Sequence, residues 1–190
     1  MNNYKSGFVT LLGRPNVGKS TLINKLIGKK ITITSPIAQT TRNKLRGILT
    51  TDDTQIIFID TPGVHKPHHL LGEKLVKNAK SAINGVDLIL LIFDSYYKPG
   101  RGDEYIRDLL ITNKAKCMVV LNKWDLLENG DKIVRLNQYK ELLNDNLISF
   151  QEVSALSGHG CNQLIKKIKG FLPEGKPLYP KDTIVDQPIE

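Results

Sequence analysis

The sequence is short of the residues that staple a fold or carry it across a membrane. Its 190 residues contain two cysteines, Cys117 and Cys161, which excludes a disulfide framework and fits a reducing compartment. Cys117 lies inside an apolar run, where a free thiol behaves as a small hydrophobe. No apolar run approaches the roughly 20 residues that cross a bilayer, and Met1-Asn2-Asn3-Tyr4-Lys5 leads into a short strand-like run without a signal-peptide pattern. There is no internal repeat and no low-complexity block. Charged residues, at 24% against 40% hydrophobic, are too few for a disordered chain. The expectation is a soluble, cytoplasmic protein with a single compact domain and at most a short appendage.

The most local shortage is of acid. Met1 to Thr51 holds nine basic residues (Lys5, Arg14, Lys19, Lys25, Lys29, Lys30, Arg42, Lys44, Arg46) and no Asp or Glu, whereas the remainder holds 18 basic against 19 acidic residues. The whole excess of the +8 net charge therefore sits in the first quarter of the chain. That quarter is either a solvated basic face or a site for a polyanion.

What is present is an alternation. Short apolar runs rich in β-branched residues occur at Phe8 to Leu12, Ile56 to Ile59, Leu88 to Phe93, Met118 to Leu121 and Ile148 to Val153, with a more polar candidate at Lys44 to Thr50. Most read as strands buried on both faces. Between them, apolar residues recur three and four apart at Leu22 to Ile27, Leu71 to Ala79, Tyr105 to Leu110, Ile133 to Leu143 and Leu164 to Phe171, the spacing of helices. Strands alternating with helices predict an α/β fold, a mostly parallel six-stranded sheet with helices on both faces, whose ligands sit at the carboxyl ends of the strands. Pro173 to Glu190 carries four prolines and no sustained periodicity, so residues 1–172 read as the domain and 173–190 as an extended linker, to a domain that a truncated chain would lack.

Four strand ends carry candidate chemistry. Gly13-Arg14-Pro15-Asn16-Val17-Gly18-Lys19-Ser20 fits G-x-x-x-x-G-K-[ST], with a strand before it and a helix after it. Curled backbone N–H groups and a helix amino terminus would hold phosphates, Lys19 would reach the terminal ones, and the Ser20 hydroxyl would ligate Mg²⁺. Asp60-Thr61-Pro62-Gly63 ends the second apolar run. There Asp60 can orient the metal and Gly63 can bring an N–H to a γ-phosphate, although alone the tetrapeptide is an ordinary turn. In Asn122-Lys123-Trp124-Asp125, a carboxylate at Asp125 can accept two hydrogen bonds from guanine, an edge adenine does not offer. Asn122 would brace the site and the Lys123 stem would lie along the base. In Ser154-Ala155-Leu156 a small residue could offer an N–H to guanine O6 while Ser154 tethers neighbouring loops.

Together these residues resemble the GTP-binding signature of the translation-factor-related GTPases, over residues 7 to 172. Gly13 to Leu22, Gln39-Thr40-Thr41-Arg42, Asp60 to Pro67 and the exit sequence Leu172-Pro173-Glu174-Gly175 through Tyr179-Pro180 and Asp186 are similar to the Era family. The resemblance implies a P-loop GTPase (Ras-like) fold and GTP or GDP held at Asn16, Val17, Gly18, Lys19, Ser20 and Thr21 along with the later motifs. It also implies a first switch at Gly28 to Thr41, where Thr41, or its neighbour Thr40, joins Ser20 and Asp60 on Mg²⁺, and a second switch from Thr61 to about Gly72. Lys19, Thr41, Gly63 and Asn16 would carry hydrolysis. Val64 stands where many GTPases place a water-orienting glutamine, so turnover would be slow, and Asn16 would help place a K⁺ ion beside the β and γ phosphates. A KH-type domain after the linker would bind 16S rRNA of the small ribosomal subunit, with peripheral contact to the inner face of the cell membrane, while the present residues would be monomeric.

Other readings stay open. The chain could be a GTP- and GDP-responsive module without useful turnover, a tRNA-modification GTPase, or a tandem-domain ribosome-assembly GTPase. An ATPase or kinase sharing the phosphate loop is disfavoured by Asp125. His65, His68 and His69 lack a Cys or carboxylate to complete a metal set and read as a polar loop. Tyr96-Tyr97 reads as loop packing or a partner contact, and Trp124 as a ring beside the base site or over a core edge.

Overall fold

A computed structural model describes residues 4–28, 44–60, 85–112, 116–143 and 149–180. These form six strands, β1 (Lys5–Leu12), β2 (Lys44–Thr50), β3 (Thr54–Asp60), β4 (Leu88–Asp94), β5 (Cys117–Asn122) and β6 (Ser149–Glu152). Four helices accompany them, α1 (Lys19–Ile27), α2 (Arg101–Thr112), α3 (Asn129–Leu142) and α4 (Cys161–Phe171). The helical stretch expected at Leu71 to Ala79 lies outside the described residues. The strands make one sheet in the order β2-β3-β1-β4-β5-β6. Every pairing is parallel except that of β2 with β3. The polar run at Lys44 to Thr50 is thus the antiparallel edge, a place that asks for less apolar surface than the centre.

Alternation of side chains across the pleat divides the core in two. Leu88, Leu90 and Ile92 of β4 join Val9, Leu11, Met118 and Val120 beneath Leu22 and Leu26 of α1 and Leu164 and Ile168 of α4. Ile89, Leu91 and Phe93 face the other way, with Val119 and Leu121, against Ile106 and Leu110 of α2 and Tyr139 and Leu142 of α3. Residues 88–93 are all fully or almost fully buried, which explains why β4 reads as an unbroken apolar run. At about 1.5–3 kcal/mol for each large side chain removed from water, these two layers hold the sheet rigid under its rim.

The stretch after Leu172 is laid along the domain as far as Pro180, the last described residue. Ser6 N–H donates to Pro173 O at 3.2 Å and Gly175 N–H to Tyr4 O at 2.9 Å. Ser6 Oγ donates to Lys176 O at 2.7 Å. Gln55, fully buried in β3, accepts from the N–H groups of Leu178 and Tyr179 at 2.8 and 2.9 Å and donates to Tyr179 O at 3.0 Å. Its remaining N–H goes to Thr50 Oγ1 at 3.2 Å. Tyr179 packs beside Ile48, Ile57 and Ile59. One side-chain amide therefore does for the strap what a neighbouring strand would do, which local composition cannot announce. Gln55→Ala should lower stability by about 2 kcal/mol in urea unfolding and expose the Leu178 and Tyr179 amides to hydrogen exchange.

The chain leaves β1 toward β3 on one side and returns from β3 to β4 on the other. The carboxyl end of β1 is therefore where strand order reverses, the crevice in which open α/β sheets bind ligands. The carboxyl ends of β3, β4, β5 and β6 lie on the same rim.

Candidate nucleotide-binding site

Gly13 to Gly18 form the loop between β1 and α1. Two tight approaches explain its glycines. A Cβ at Gly13 would stand 2.4 Å from Ile92 O in β4, and one at Gly18 would stand 2.3 Å from Asn122 Nδ2. Gly18 also has φ +96°, and Asn16 is left-handed at φ 64°. Asparagine tolerates that region better than most residues, so the loop curls twice within three positions. Val17 is buried while Asn16, Ser20 and Thr21 are exposed and Lys19 is half-buried. Helix α1 starts without a side-chain cap and without an acidic residue in its first turn, which leaves its N–H groups and dipole facing the loop. Lys19 Nζ arches back over the loop, donating to Gly13 O at 2.9 Å and Arg14 O at 2.8 Å. Arg14 reaches sideways to the buried Asp103 carboxylate at 3.6 Å, and Asp103 accepts from Gly100 N–H at 2.9 Å, so the loop is braced against the start of α2.

Asn122, the last residue of β5 and only 2% exposed, joins three loops. Its Nδ2 donates to Val17 O at 2.8 Å and its Oδ1 accepts from Ala155 N–H at 2.9 Å. Its carbonyl accepts from Ser95 N–H at 2.9 Å and Ser95 Oγ at 2.6 Å. Lys123 follows in left-handed backbone at φ 62° and pairs through Nζ with Asp94 Oδ2 at 2.6 Å. A single 3₁₀ turn, Trp124–Leu126, then carries Asp125 into solvent, and Trp124 N–H donates to Val153 O at 3.0 Å. The indole packs against the α2 and α3 side of the core, on a core edge. Tyr96 and Tyr97 are exposed and meet edge to face, with ring centroids 5.1 Å apart.

Residues 153–160 turn between β6 and α4. Ser154, expected to tether neighbouring loops, ties its own: Ser154 Oγ accepts from Ser157 N–H at 3.1 Å. Asn122 is the side chain that ties two loops together, because an amide offers a donor and an acceptor in opposite directions. The Ala155 N–H, expected to be free for a base oxygen, is engaged by Asn122 Oδ1, and Leu156 projects into solvent at 79% exposure. Asp60 is the last residue of β3, opposite Lys44 of β2. Thr40, Thr41, Gly63, Val64 and the histidines at 65, 68 and 69 lie outside the described residues.

The sequence reading missed Asp94 and Ser95. Both follow the apolar run of β4, and a polar pair at that strand end was the signal available. Tyr139 closes the group by donating its hydroxyl to Asp94 O and Tyr97 O, each at 3.2 Å. Burial, followed by the charge of Asp103, raises the Tyr139 phenol above its ordinary range and keeps it a donor. Among the described residues no group of three or more His, Cys, Asp or Glu could hold a metal, and no helix is long and apolar enough to cross a membrane.

Residues 8–123 match the sequence profile described as 50S ribosome-binding GTPase. The GTPase Era of Crocosphaera subtropica is 54% identical over 186 residues, covering 97% of this chain and 59% of that protein. The chain thus spans about three fifths of the length of the curated relatives it matches. Aquifex aeolicus Era bound to GDP·AlF4⁻ superposes with a TM-score of 0.76 at 36% identity, covering 97% of this chain and 62% of that one. Era in complex with MgGDPNP and nucleotides 1506–1542 of 16S ribosomal RNA does so with a TM-score of 0.75 at 38% identity, covering 97% and 63%. With the strand order, the braced phosphate loop and the Asn122 tether already in view, the chain belongs to the 50S ribosome-binding GTPase family, and within it is similar to GTPase Era.

Proposed function

We propose that this chain is the guanine-nucleotide domain of a GTPase that hydrolyses GTP to GDP and phosphate, a switch in small ribosomal subunit assembly and 16S rRNA maturation. The observation that carries the reading is the Asn122 side chain, which fixes the phosphate loop and the Ala155 turn to the strand end from which Asp125 projects. Phosphate grip and base recognition would thereby be held in one register. Asn16, Val17, Gly18, Lys19, Ser20 and Thr21 would bind the phosphates. Lys123 and Asp125 would take the face and edge of the guanine, with Ser154, Ala155 and Leu156 beside it.

Ser20 on the first turn of α1 and Asp60 at the end of β3 would supply hard oxygen donors of the kind Mg²⁺ prefers, and Thr41 would complete the set. The metal would neutralise charge on the β and γ phosphates when bound. Lys19 would orient the terminal phosphate, and the backbone amides of the loop, with Gly63, would stabilise the charge that develops there. Release of the γ-phosphate would free Thr41 and Gly63 and with them both switches. With Val64 in the water-orienting position, the left-handed and exposed Asn16 would place a K⁺ ion against the phosphates. Single-turnover hydrolysis of GTP by the chain should run roughly tenfold faster in KCl than in NaCl. Equal rates would remove the K⁺ role, and no phosphate release in either salt would leave only a nucleotide-responsive module.

The relative solved with a 16S rRNA fragment supports the small subunit as the partner. We infer that a KH-type domain makes that contact in the part of the relatives' length that this chain does not span, and that residues 173–190 lead to it. The similarity to two relatives named GTPase Era, at 54% and 50% identity, favours this over a tandem-domain GTPase. A monomer in the cytoplasm with peripheral contact to the inner membrane face completes the proposal.

A further inference from the structure

Lys123 is held from outside its own motif. Asp94 ends β4 and stands opposite Asn122 in the β4 and β5 register, so the Lys123 side chain crosses from one strand end to the next to reach it. That direction is toward β1 and the phosphate loop, since β4 lies between β5 and β1. The carboxylate that receives Lys123 is itself fixed. Asp94 Oδ1 accepts from Tyr96 N–H at 3.1 Å, and the Asp94 carbonyl accepts from the Tyr139 hydroxyl at 3.2 Å and from Tyr97 N–H at 3.3 Å. The difference lies in the carboxylate: side-chain exposures are 33% for Lys123 and 15% for Asp94, against 26% for Arg107 and 64% for Asp108 in the Arg107–Asp108 pair. Exposed ion pairs are screened and cost side-chain freedom to form, so this one has more to contribute than its surface counterpart.

We propose that Asp94 is a positioning residue for guanine-nucleotide binding: it holds the Lys123 stem extended across the mouth of the site and so sets how long the nucleotide stays. The inference rests on the guanine-nucleotide reading above. An unpaired lysine samples many rotamers and must be ordered when the base arrives. A lysine already pinned at both ends, by left-handed backbone and by Asp94, presents its methylene face without that cost. The effect acts on the flat face of the base. It therefore does not depend on which groups decorate the base edge, and this separates it from Asp125.

The test is release of mant-GDP from the 190-residue chain, with Asp94→Asn, Lys123→Met and the double variant. The asparagine keeps an acceptor for Tyr96 N–H and removes the charge that holds Lys123. Asp94→Asn should speed mant-GDP release about tenfold and weaken GDP and IDP by the same factor in competition. In the Lys123→Met background the same substitution should change release less than twofold. Should Asp94→Asn not fold, Asp94→Ser, whose hydroxyl still accepts from Tyr96 N–H, reads the same cycle. Release at the parental rate, or an equal effect with and without the Lys123 ammonium, would overturn the proposal by showing Asp94 to be a fold residue only. A parental chain that does not retain mant-GDP would overturn the site reading itself, and this inference with it.

Discussion

Asp125→Asn should cost roughly a thousandfold in GDP affinity and give the chain a preference for XDP. Guanine presents an N1–H and a 2-amino group side by side, and a carboxylate accepts from both. An asparagine amide keeps one acceptor and turns an N–H toward the amino group, donor against donor. Xanthine carries a carbonyl at that carbon, which accepts from the new N–H. Two hydrogen bonds to a charged group are worth about 4 kcal/mol together, which is the expected loss. Asp125 is exposed on its 3₁₀ turn, so the thermal midpoint should move by little. Fluorescence titration with mant-GDP, competed by XDP, measures the switch. Retained preference for GDP would show that the base is read elsewhere.

Asn122→Ala should damage both fold and site. The side chain pairs Val17 O and the Ala155 N–H, and these residues are 4% and 5% exposed, so water cannot readily replace it. Two buried polar groups left unpaired cost about 3 kcal/mol in urea unfolding. The phosphate loop would lose its tie to the base loops, and GDP affinity should fall at least about a hundredfold because both halves must then be ordered on binding. The contrast with Asp125 is the useful part. One variant moves selectivity with stability intact, whereas the other moves stability and affinity together. A stable Asn122→Ala chain with normal affinity would mean that the loops hold their places without the amide.

The strands and the rim were legible because their signals are local. Leu88 to Phe93 is an uninterrupted apolar run because it faces helices on both sides, and the glycines and lysine of the phosphate loop recur at a spacing set by backbone geometry. The contacts that turn those loops into one site are not local. Asn122 and Val17 are 105 positions apart, and Gln55 and Tyr179 are 124 apart, so neither pair leaves a periodic trace. Ser154 drew attention as a tether because it is small and polar in a loop, yet the bond its hydroxyl accepts comes from Ser157 in the same turn. Asp94 drew none, although it ends a strand on the same rim, because a single acid after an apolar run has many ordinary uses. The prolines after Leu172 read as a linker for the same reason. Composition reports stiffness, and the amide of Gln55 that captures Leu178 and Tyr179 lies in a strand 123 and 124 positions away.

Calorimetric titration of the unmodified chain with GDP and with ADP in the presence of Mg²⁺ addresses the central claim most directly. The rim geometry calls for tight binding of GDP and for ADP weaker by a factor of about a thousand or more, since adenine leaves Asp125 without its two donors. Equal affinity for the two nucleotides, or none for either, would contradict it.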